Sequence, residues 1–415
     1  MASRPGSARE TLSGVRVIDG TGRLIERQDV EIDDGRLGEI VATREVRGSG
    51  SADANLTLLP GLINMHSHLT APGEADRGSL RPFALQAAET VDIQLLRSAR
   101  NARVLLATGV TTVRDCGSAG RVSQSVRDLI DAGVLTGPRI VSCGRVITTT
   151  AGHGWQSGLR ADSAGDLRKA VRRLVEEGVD AIKIAVTGGG GTPGSNVFRA
   201  QYTRDELEVV SYEAHRLGKR VAAHAHGTEG MRNAVGAGID TIEHCGWMGL
   251  NGGLEVDDSV TDEMLERHTV VVPTMTVLYR AAYDDFTDMS ADRRKMRAVR
   301  EPRTNAWTDM YRRGVRFATG PDTGVNDTYW NDSVRELELM STHMGLSPME
   351  AIVAATRDSA IGLGLDSEIG TIAAGKAADL LVVEGNPAED LAALRRVRAV
   401  YRSGRLVVRD GLLLD

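Results

Sequence analysis

Histidine pairs are the most chemically suggestive feature of this 415-residue sequence. His66-Ser-His68 closes one apolar run, and His224-Ala-His226 closes another. Because alternate residues of a β-strand point to the same side, each pair can turn two imidazoles toward one ion. Imidazole nitrogen is a common ligand of zinc and related divalent metals. The two pairs therefore predict a metal site, although a single His-x-His is weak support.

A lysine and a carboxylate extend this pattern. Lys183 stands within Ala181-Ile-Lys-Ile-Ala185, where a buried ammonium is costly unless it is paired or chemically altered. Taken alone, a salt-bridged structural lysine is the simpler interpretation. His244 follows the apolar run that includes Ile242, and Asp322 lies just past another predicted strand. His244 would add an imidazole nitrogen to the possible metal ligands, and Asp322 a carboxylate oxygen.

The elements that must position these residues are short strands alternating with helices. From Leu58 onward, apolar strands alternate with helical patterns of ten residues or more, which is typical of parallel βα units. Eight strands are predicted, and they end near His66, Asp115, Ser142, Lys183, His224, Glu243, Pro273 and Gly320. We predict a (β/α)₈ TIM barrel over residues 59–365, a fold whose active site lies at the C-terminal ends of the strands.

The two ends of the chain have a different pattern. Short strands with turn residues between them are predicted in residues 1–58, and strands return at Leu380–Val383 and Val397–Val408. We therefore expect an α/β fold in which residues 1–58 and 366–415 together build a small β-sandwich domain beside the barrel.

The distribution of the nine histidines supports one shared site. Six are at or just beyond predicted strand ends, namely His66, His68, His153, His224, His226 and His244. The other three, His215, His268 and His343, fall in predicted helices or at their ends and are interpreted as surface or packing residues. Structural histidines should scatter, so this partition favours a common centre.

Composition excludes several classes of function. A net charge of −6 argues against nucleic-acid binding, which needs a basic face. The three cysteines have no disulfide-framework spacing, and Cys245 is expected to be buried packing rather than a ligand. The chain has no apolar stretch of about 18 residues and no secretory signal pattern at its start, so no membrane span and a cytoplasmic location are expected.

Taken in order, His66-x-His68, Lys183, His224, His244 and Asp322 resemble the amidohydrolase superfamily. Within it, the motifs Asp180–Ile184, His-Ala-His and Ile242-Glu-His244 are most similar to the branch related to Xaa-Pro dipeptidase, ochratoxinase and imidazolonepropionase. Asn64 departs from the aspartate that many relatives have at its position.

The resemblance implies a ligand set and a mechanism. His66, His68 and Asp322 would hold one zinc, and His224 and His244 a second. Lys183, carboxylated by CO₂, would bridge the two Zn²⁺ ions. His224 is preferred to His226 because its spacing to His244 matches that branch, which leaves His226 for substrate contact.

In that mechanism a hydroxide bridging the metals attacks the amide, and Asp322 serves as general base and acid. His153, in the loop after the third strand, would hydrogen-bond the substrate carbonyl or carboxylate; otherwise it only caps local backbone. We expect a small-molecule amide substrate with a free carboxylate, of the dipeptide, N-acyl amino acid or ochratoxin-like type, and a homo-oligomer.

Two alternatives stay open. One is a mononuclear deaminase or cyclic amide hydrolase of the same superfamily, which Asn64 slightly favours but Lys183 disfavours. The other is a non-catalytic barrel scaffold, which the complete ligand set disfavours.

Overall fold

The structure is a computed structural model that describes residues 9–43, 55–73, 87–279, 291–325 and 328–414. It is a mixed α/β fold. The strands are β1 (Glu10–Ile18), β2 (Leu24–Asp33), β3 (Arg36–Ala42), β4 (Leu56–Pro60), β5 (Leu62–Ser67), β6 (Val110–Asp115), β7 (Arg139–Ser142), β8 (Ile147–Thr148), β9 (Leu159–Arg160), β10 (Ala181–Ala185), β11 (Arg220–His224), β12 (Thr241–Glu243), β13 (Val270–Val272), β14 (Arg316–Phe317), β15 (Leu380–Glu384), β16 (Val397–Arg402), β17 (Arg405–Arg409) and β18 (Leu412–Leu413).

The α-helices alternate with the central strands. They are α1 (Val91–Ala107), α2 (Val122–Asp131), α3 (Ala164–Glu176), α4 (Arg204–Arg216), α5 (Thr228–Gly236), α6 (Asp258–Arg267), α7 (Met275–Leu278), α8 (Ala291–Ala298), α9 (Arg300–Arg313), α10 (Ser333–Met344), α11 (Pro348–Val353) and α12 (Ser359–Leu363). A π-helical segment, Ala354–Asp358, separates α11 from α12, and a 3₁₀ helix covers Leu391–Arg395.

Strands from both chain ends share one sheet. Its order is β18-β17-β16-β15-β4-β1-β2-β3, so β4 joins the N-terminal strands to the C-terminal ones. Strand β15 pairs antiparallel with β4, and Leu381 lies opposite Leu59. The prediction that the tail rejoins the N-terminal strands is confirmed. A two-layer sandwich and the domain boundaries at residues 58 and 365 stay predictions.

The central strands are parallel and form two sheets. One has the order β5-β6-β7, and the other has the order β14-β13-β12-β11-β10-β8-β9. Backbone hydrogen bonds run between the two sheets at both ends: Met65 N donates to Thr319 O at 2.9 Å, and Asp180 N donates to Ser142 O at 2.8 Å. Each of the eight predicted strand ends lies in an observed strand or a few residues after one.

Local sequence explains where the helices begin and end. Thr203 and Glu206 form the predicted capping box at the start of α4. Gly314 ends α9 with a φ of 104°, a left-handed conformation that glycine adopts without a steric penalty. The helical run over residues 291–313 is divided at Val299, which separates α8 from α9. Pro302 is the cause, since its ring clashes with the carbonyl of Ala298 and interrupts the helix.

Predicted helix Gln86–Thr108 is observed as α1, with Gln86 outside the described residues. Within the described part of the chain, no helix is both long and apolar enough to span a bilayer.

Candidate metal centre

The predicted site residues converge on one cavity at the C-terminal ends of the central strands. Its lining includes all eight of them: His66, His68, His153, Lys183, His224, His226, His244 and Asp322. Every one of these residues is buried, with at most 8% of its surface exposed. The strands supply this convergence, because parallel strands bring their C-terminal ends to the same side of the fold.

His66, His68 and Asp322 form the first cluster. The Oδ1 atom of Asp322 lies 3.4 Å from His66 Nε2 and 3.3 Å from His68 Nε2. Burial alone would raise the pKa of Asp322, but the two imidazoles lower it to about 2. Burial alone would lower the pKa of His68, but Asp322 raises it above its usual value. The Nε2 atoms of His66 and His68 thus lie close to the same carboxylate oxygen.

Asn64 holds this cluster in place. Its Oδ1 accepts a hydrogen bond from His66 N at 3.0 Å, and its Nδ2 donates to Thr323 Oγ1 at 2.9 Å. Thr323 follows Asp322 directly, so Asn64 ties the two ligand-bearing segments together. Asparagine at this position, where many relatives have aspartate, therefore still positions the neighbouring segments.

Glu243 and Arg114 hold the other side of His66. Glu243 Oε2 lies 2.9 Å from His66 Nδ1, and Arg114 Nη2 donates to Glu243 Oε1 at 2.5 Å. Burial would raise the pKa of Glu243, but the guanidinium of Arg114 and the charge of Lys183 hold it well below its usual range. An ionised carboxylate can only accept, so a proton on His66 Nδ1 would face Glu243 and would leave the Nε2 lone pair for a metal.

The second cluster contains His224, His226 and His244, whose ligand atoms lie within 4.8 Å of one another. Burial and the neighbouring imidazoles hold the pKa values of His224 and His244 well below normal. Neutral imidazole is the form that binds a metal. The Nδ1 atom of His244 lies 2.9 Å from Thr274 Oγ1.

The backbone is unusual where these ligands sit. His244 has a φ of 69° and Asp322 a φ of 60°, which non-glycine residues rarely adopt. Such strain clusters at functional sites. Cys245 also has a positive φ, so strand alternation ends before it; it is nevertheless buried in the apolar core, as predicted.

Lys183 lines the same cavity as the two clusters, with 2% of its surface exposed. Its Nζ atom has no hydrogen-bond partner among the described residues. A buried ammonium without an acceptor is strongly disfavoured. A salt-bridged lysine would therefore have no partner for its Nζ atom among the described residues. A chemically altered amine is compatible with a buried position in this cavity. The donor set as a whole suits divalent metals bound through nitrogen and oxygen.

His153 and the glycine-rich loop close one wall of the cavity. The ring of His153 stacks on His224 with centroids 4.3 Å apart, and burial lowers the pKa of His153 to about 3. A Cβ atom on Gly189 would lie 2.4 Å from His153 Cε1, so only glycine permits this approach. Gly190 and Gly191 line the cavity, which places the loop where a substrate would contact it.

Sequence reasoning did not identify Arg303, Thr274 or Glu336. Arg303 lines the cavity from α9. Glu336 accepts hydrogen bonds from the backbone N–H groups of Met275 and Thr276 at 2.8 and 2.7 Å, and so fixes the turn that carries Thr274. The signals were weak, because an arginine or a glutamate in a charged helix gives no sign that it points inward.

Known proteins share this architecture. The model of the family described as "Amidohydrolase family" matches residues 57–407. Ochratoxinase from Aspergillus niger is 26% identical over 403 residues, covering 90% of this chain and 80% of the relative. A Xaa-Pro dipeptidase crystallised with methionine in its active site is 30% identical, with a TM-score of 0.81 over 96% of this chain and 99% of the other.

A further solved structure is a prolidase in complex with N-methylphosphonate-L-proline. It is 27% identical, with a TM-score of 0.83 over 97% of this chain and 100% of the other. The predicted resemblance to this superfamily and branch is confirmed by these matches.

Proposed function

The chain belongs to the amidohydrolase family and is thus a hydrolytic enzyme acting on amides; from this premise we propose that it is a binuclear zinc hydrolase. Its substrate would be a dipeptide or an N-acyl amino acid, including amides of the ochratoxin type. The single observation that carries the proposal is the buried Lys183 amine, which has no hydrogen-bond partner among the described residues and shares a cavity with five proposed metal ligands, His66, His68, His224, His244 and Asp322. We also propose that the parallel strands close a (β/α)₈ barrel.

The proposed ligand assignment is the one that the family resemblance implies, and the two clusters support it by bringing its members together. His66, His68 and Asp322 would hold one ion, His224 and His244 the other, and Lys183, as a carbamate, would bridge them. Carboxylation turns a buried cation into an anion, which removes the unfavourable buried charge. When bound, two divalent ions supply an activated water and polarise the scissile carbonyl.

The chain's own residues supply the proton transfers and the orientation. Asp322 is ionised because its pKa is lowered to about 2, so it can accept a proton from the attacking water. The same carboxyl group then donates that proton to the leaving nitrogen. His153, kept neutral by burial, is positioned by its stacking on His224 to hydrogen-bond the carbonyl oxygen. The ring of His226 stands nearly perpendicular to that of His224, with centroids 4.7 Å apart, and would contact the substrate.

Metal analysis combined with a substrate panel tests the proposal. We expect two zinc ions per chain and turnover of some N-acyl amino acids or dipeptides by the zinc-loaded protein. One ion per chain with ammonia release from aminated heterocycles would instead indicate the mononuclear deaminase. Asp322→Asn should abolish turnover while the protein stays folded; unchanged turnover would contradict the assigned role.

A further inference from the structure

A buried arginine lines the same cavity as the histidine clusters. Arg303 lies on α9 with 2% of its surface exposed, and it borders the cavity with His226 and His244. A guanidinium stays charged at any ordinary pH and carries five N–H donors.

The guanidinium of Arg303 is held rigidly. Its Cζ lies 5.2 Å from the ring centroid of Trp307, a cation–π distance. Trp307 in turn donates from Nε1 to the backbone oxygen of Cys245 at 2.9 Å. Because Cys245 follows His244, the arginine is positioned relative to the second histidine cluster.

The charge of Arg303 acts on the cavity. Arg303 and His226 both belong to the cavity lining. Asp322 is the one carboxylate among the described residues that line the cavity, and it contacts His66 and His68. Arg303 therefore brings guanidinium N–H donors to the wall of the cavity that contains His226, where they can donate to an incoming anion.

An apolar wall accompanies this cation. Val277 and Leu278 line the cavity from α7. Tyr279, which follows Leu278, hydrogen-bonds through its hydroxyl to Thr304 Oγ1 at 2.9 Å, and Thr304 follows Arg303. The charged and the apolar surfaces are therefore held side by side.

We propose that Arg303 is the specificity-determining residue that binds the substrate's carboxylate on the amine side of the scissile bond, with an apolar side chain against Val277 and Leu278. The inference rests on the proposed function and names the substrate class. An amine-side α-carboxylate is one carbon from the scissile nitrogen, so its partner must lie in the metal-binding cavity itself, as Arg303 does. The planar guanidinium fork matches a carboxylate in two hydrogen bonds.

Kinetics on matched substrates test this assignment. N-acetyl-L-leucine should be hydrolysed with a kcat/KM on the order of 100-fold above that of N-acetyl-L-leucinamide. Arg303→Gln should remove that preference by slowing only the hydrolysis of N-acetyl-L-leucine. Arg303→Lys should restore part of the preference, because lysine returns the positive charge but not the planar guanidinium that forms two hydrogen bonds. The control Arg312→Gln changes an exposed arginine of the same helix and should alter neither substrate.

Two outcomes would overturn the assignment. Equal losses on acid and carboxamide would indicate a merely structural arginine. A loss confined to N-succinyl-L-leucinamide would move the carboxylate to the acyl side.

Binding to the metal-free wild type covers the case in which the variants do not fold. L-Leucine should bind at least about 10-fold more tightly than L-leucinamide, since no ion is present to attract the carboxylate. Equal affinities would contradict the carboxylate site. If no amide in the panel is hydrolysed, the proposed function fails, whereas this binding comparison still decides the role of Arg303.

Discussion

His66 Nδ1 lies 2.9 Å from Oε2 of Glu243, whose other oxygen accepts from Arg114 at 2.5 Å. A carboxylate behind a metal-binding imidazole fixes its tautomer and raises its basicity. The same carboxylate also neutralises a buried guanidinium. One side chain therefore contacts both a candidate metal ligand and a buried guanidinium.

Glu243→Gln should weaken zinc binding about 10- to 100-fold, because the amide no longer fixes the His66 tautomer as an anion does. It should also lower the free energy of unfolding by about 3 kcal/mol, since Arg114 is left buried without its counter-charge. Zinc titration and denaturant unfolding measure the two effects. The exposed Glu208→Gln is the matched control.

Adding Arg114→Met to Glu243→Gln separates these effects. The double variant should regain most of the lost stability, because the uncompensated charge is gone. Its zinc affinity should stay low. Recovery of both properties together would contradict the role of Glu243 in orienting His66.

Lys183→Ala should lose about two orders of magnitude in activity, because the bridging carbamate cannot form. Short carboxylic acids should restore part of the activity by filling the space that the side chain leaves. In the wild type, ¹³C-labelled bicarbonate should give a carbamate resonance in the NMR spectrum. The control Lys169→Ala, on the exposed face of α3, should retain both the activity and the carbamate resonance. A wild type without the resonance would refute carboxylation of Lys183.

Thr274→Val should weaken binding of the second zinc, since His244 Nδ1 loses its partner at 2.9 Å. A loss of roughly 10- to 100-fold is expected for a group that orients a metal ligand. Thr274→Ser keeps the hydroxyl and should restore the affinity. Competition with a chromophoric chelator measures both, and equal affinities of the two variants would exclude a hydroxyl effect.

Glu336 should make stability depend on pH. Burial raises its pKa from 4.5 to about 7, although the Thr276 hydroxyl and two backbone N–H groups oppose that rise. An acid with a raised folded-state pKa adds stability below its unfolded pKa and loses it as the pH rises toward and through 7. The loss between pH 4 and 8 should be on the order of 3 kcal/mol.

Denaturant unfolding of metal-free protein across that pH range measures this loss. Glu336→Gln cannot titrate, so the stability difference between wild type and variant should shrink as the pH rises. Parallel curves for the two proteins would show that the carboxyl group does not titrate in this window.

The amino-acid sequence by itself determined the ligand types and their order along the chain. His66, His68, Lys183, His224 and Asp322 could be identified because strand periodicity and strand ends are local properties. The same reasoning found the terminal strands and their common sheet. The break at Val299 between α8 and α9 also has a local cause, the proline at position 302.

Tertiary structure alone decided which charges meet. Arg303 comes from a helix of strongly polar sequence, and only the packing of Trp307 against the backbone of Cys245 turns it inward. The contact between His66 and Glu243 joins two strands far apart in the sequence. Periodicity reports which face of an element is buried, but it carries no information on which element lies opposite. For that reason the chemistry was predictable, whereas the groups that orient it and select the substrate were not.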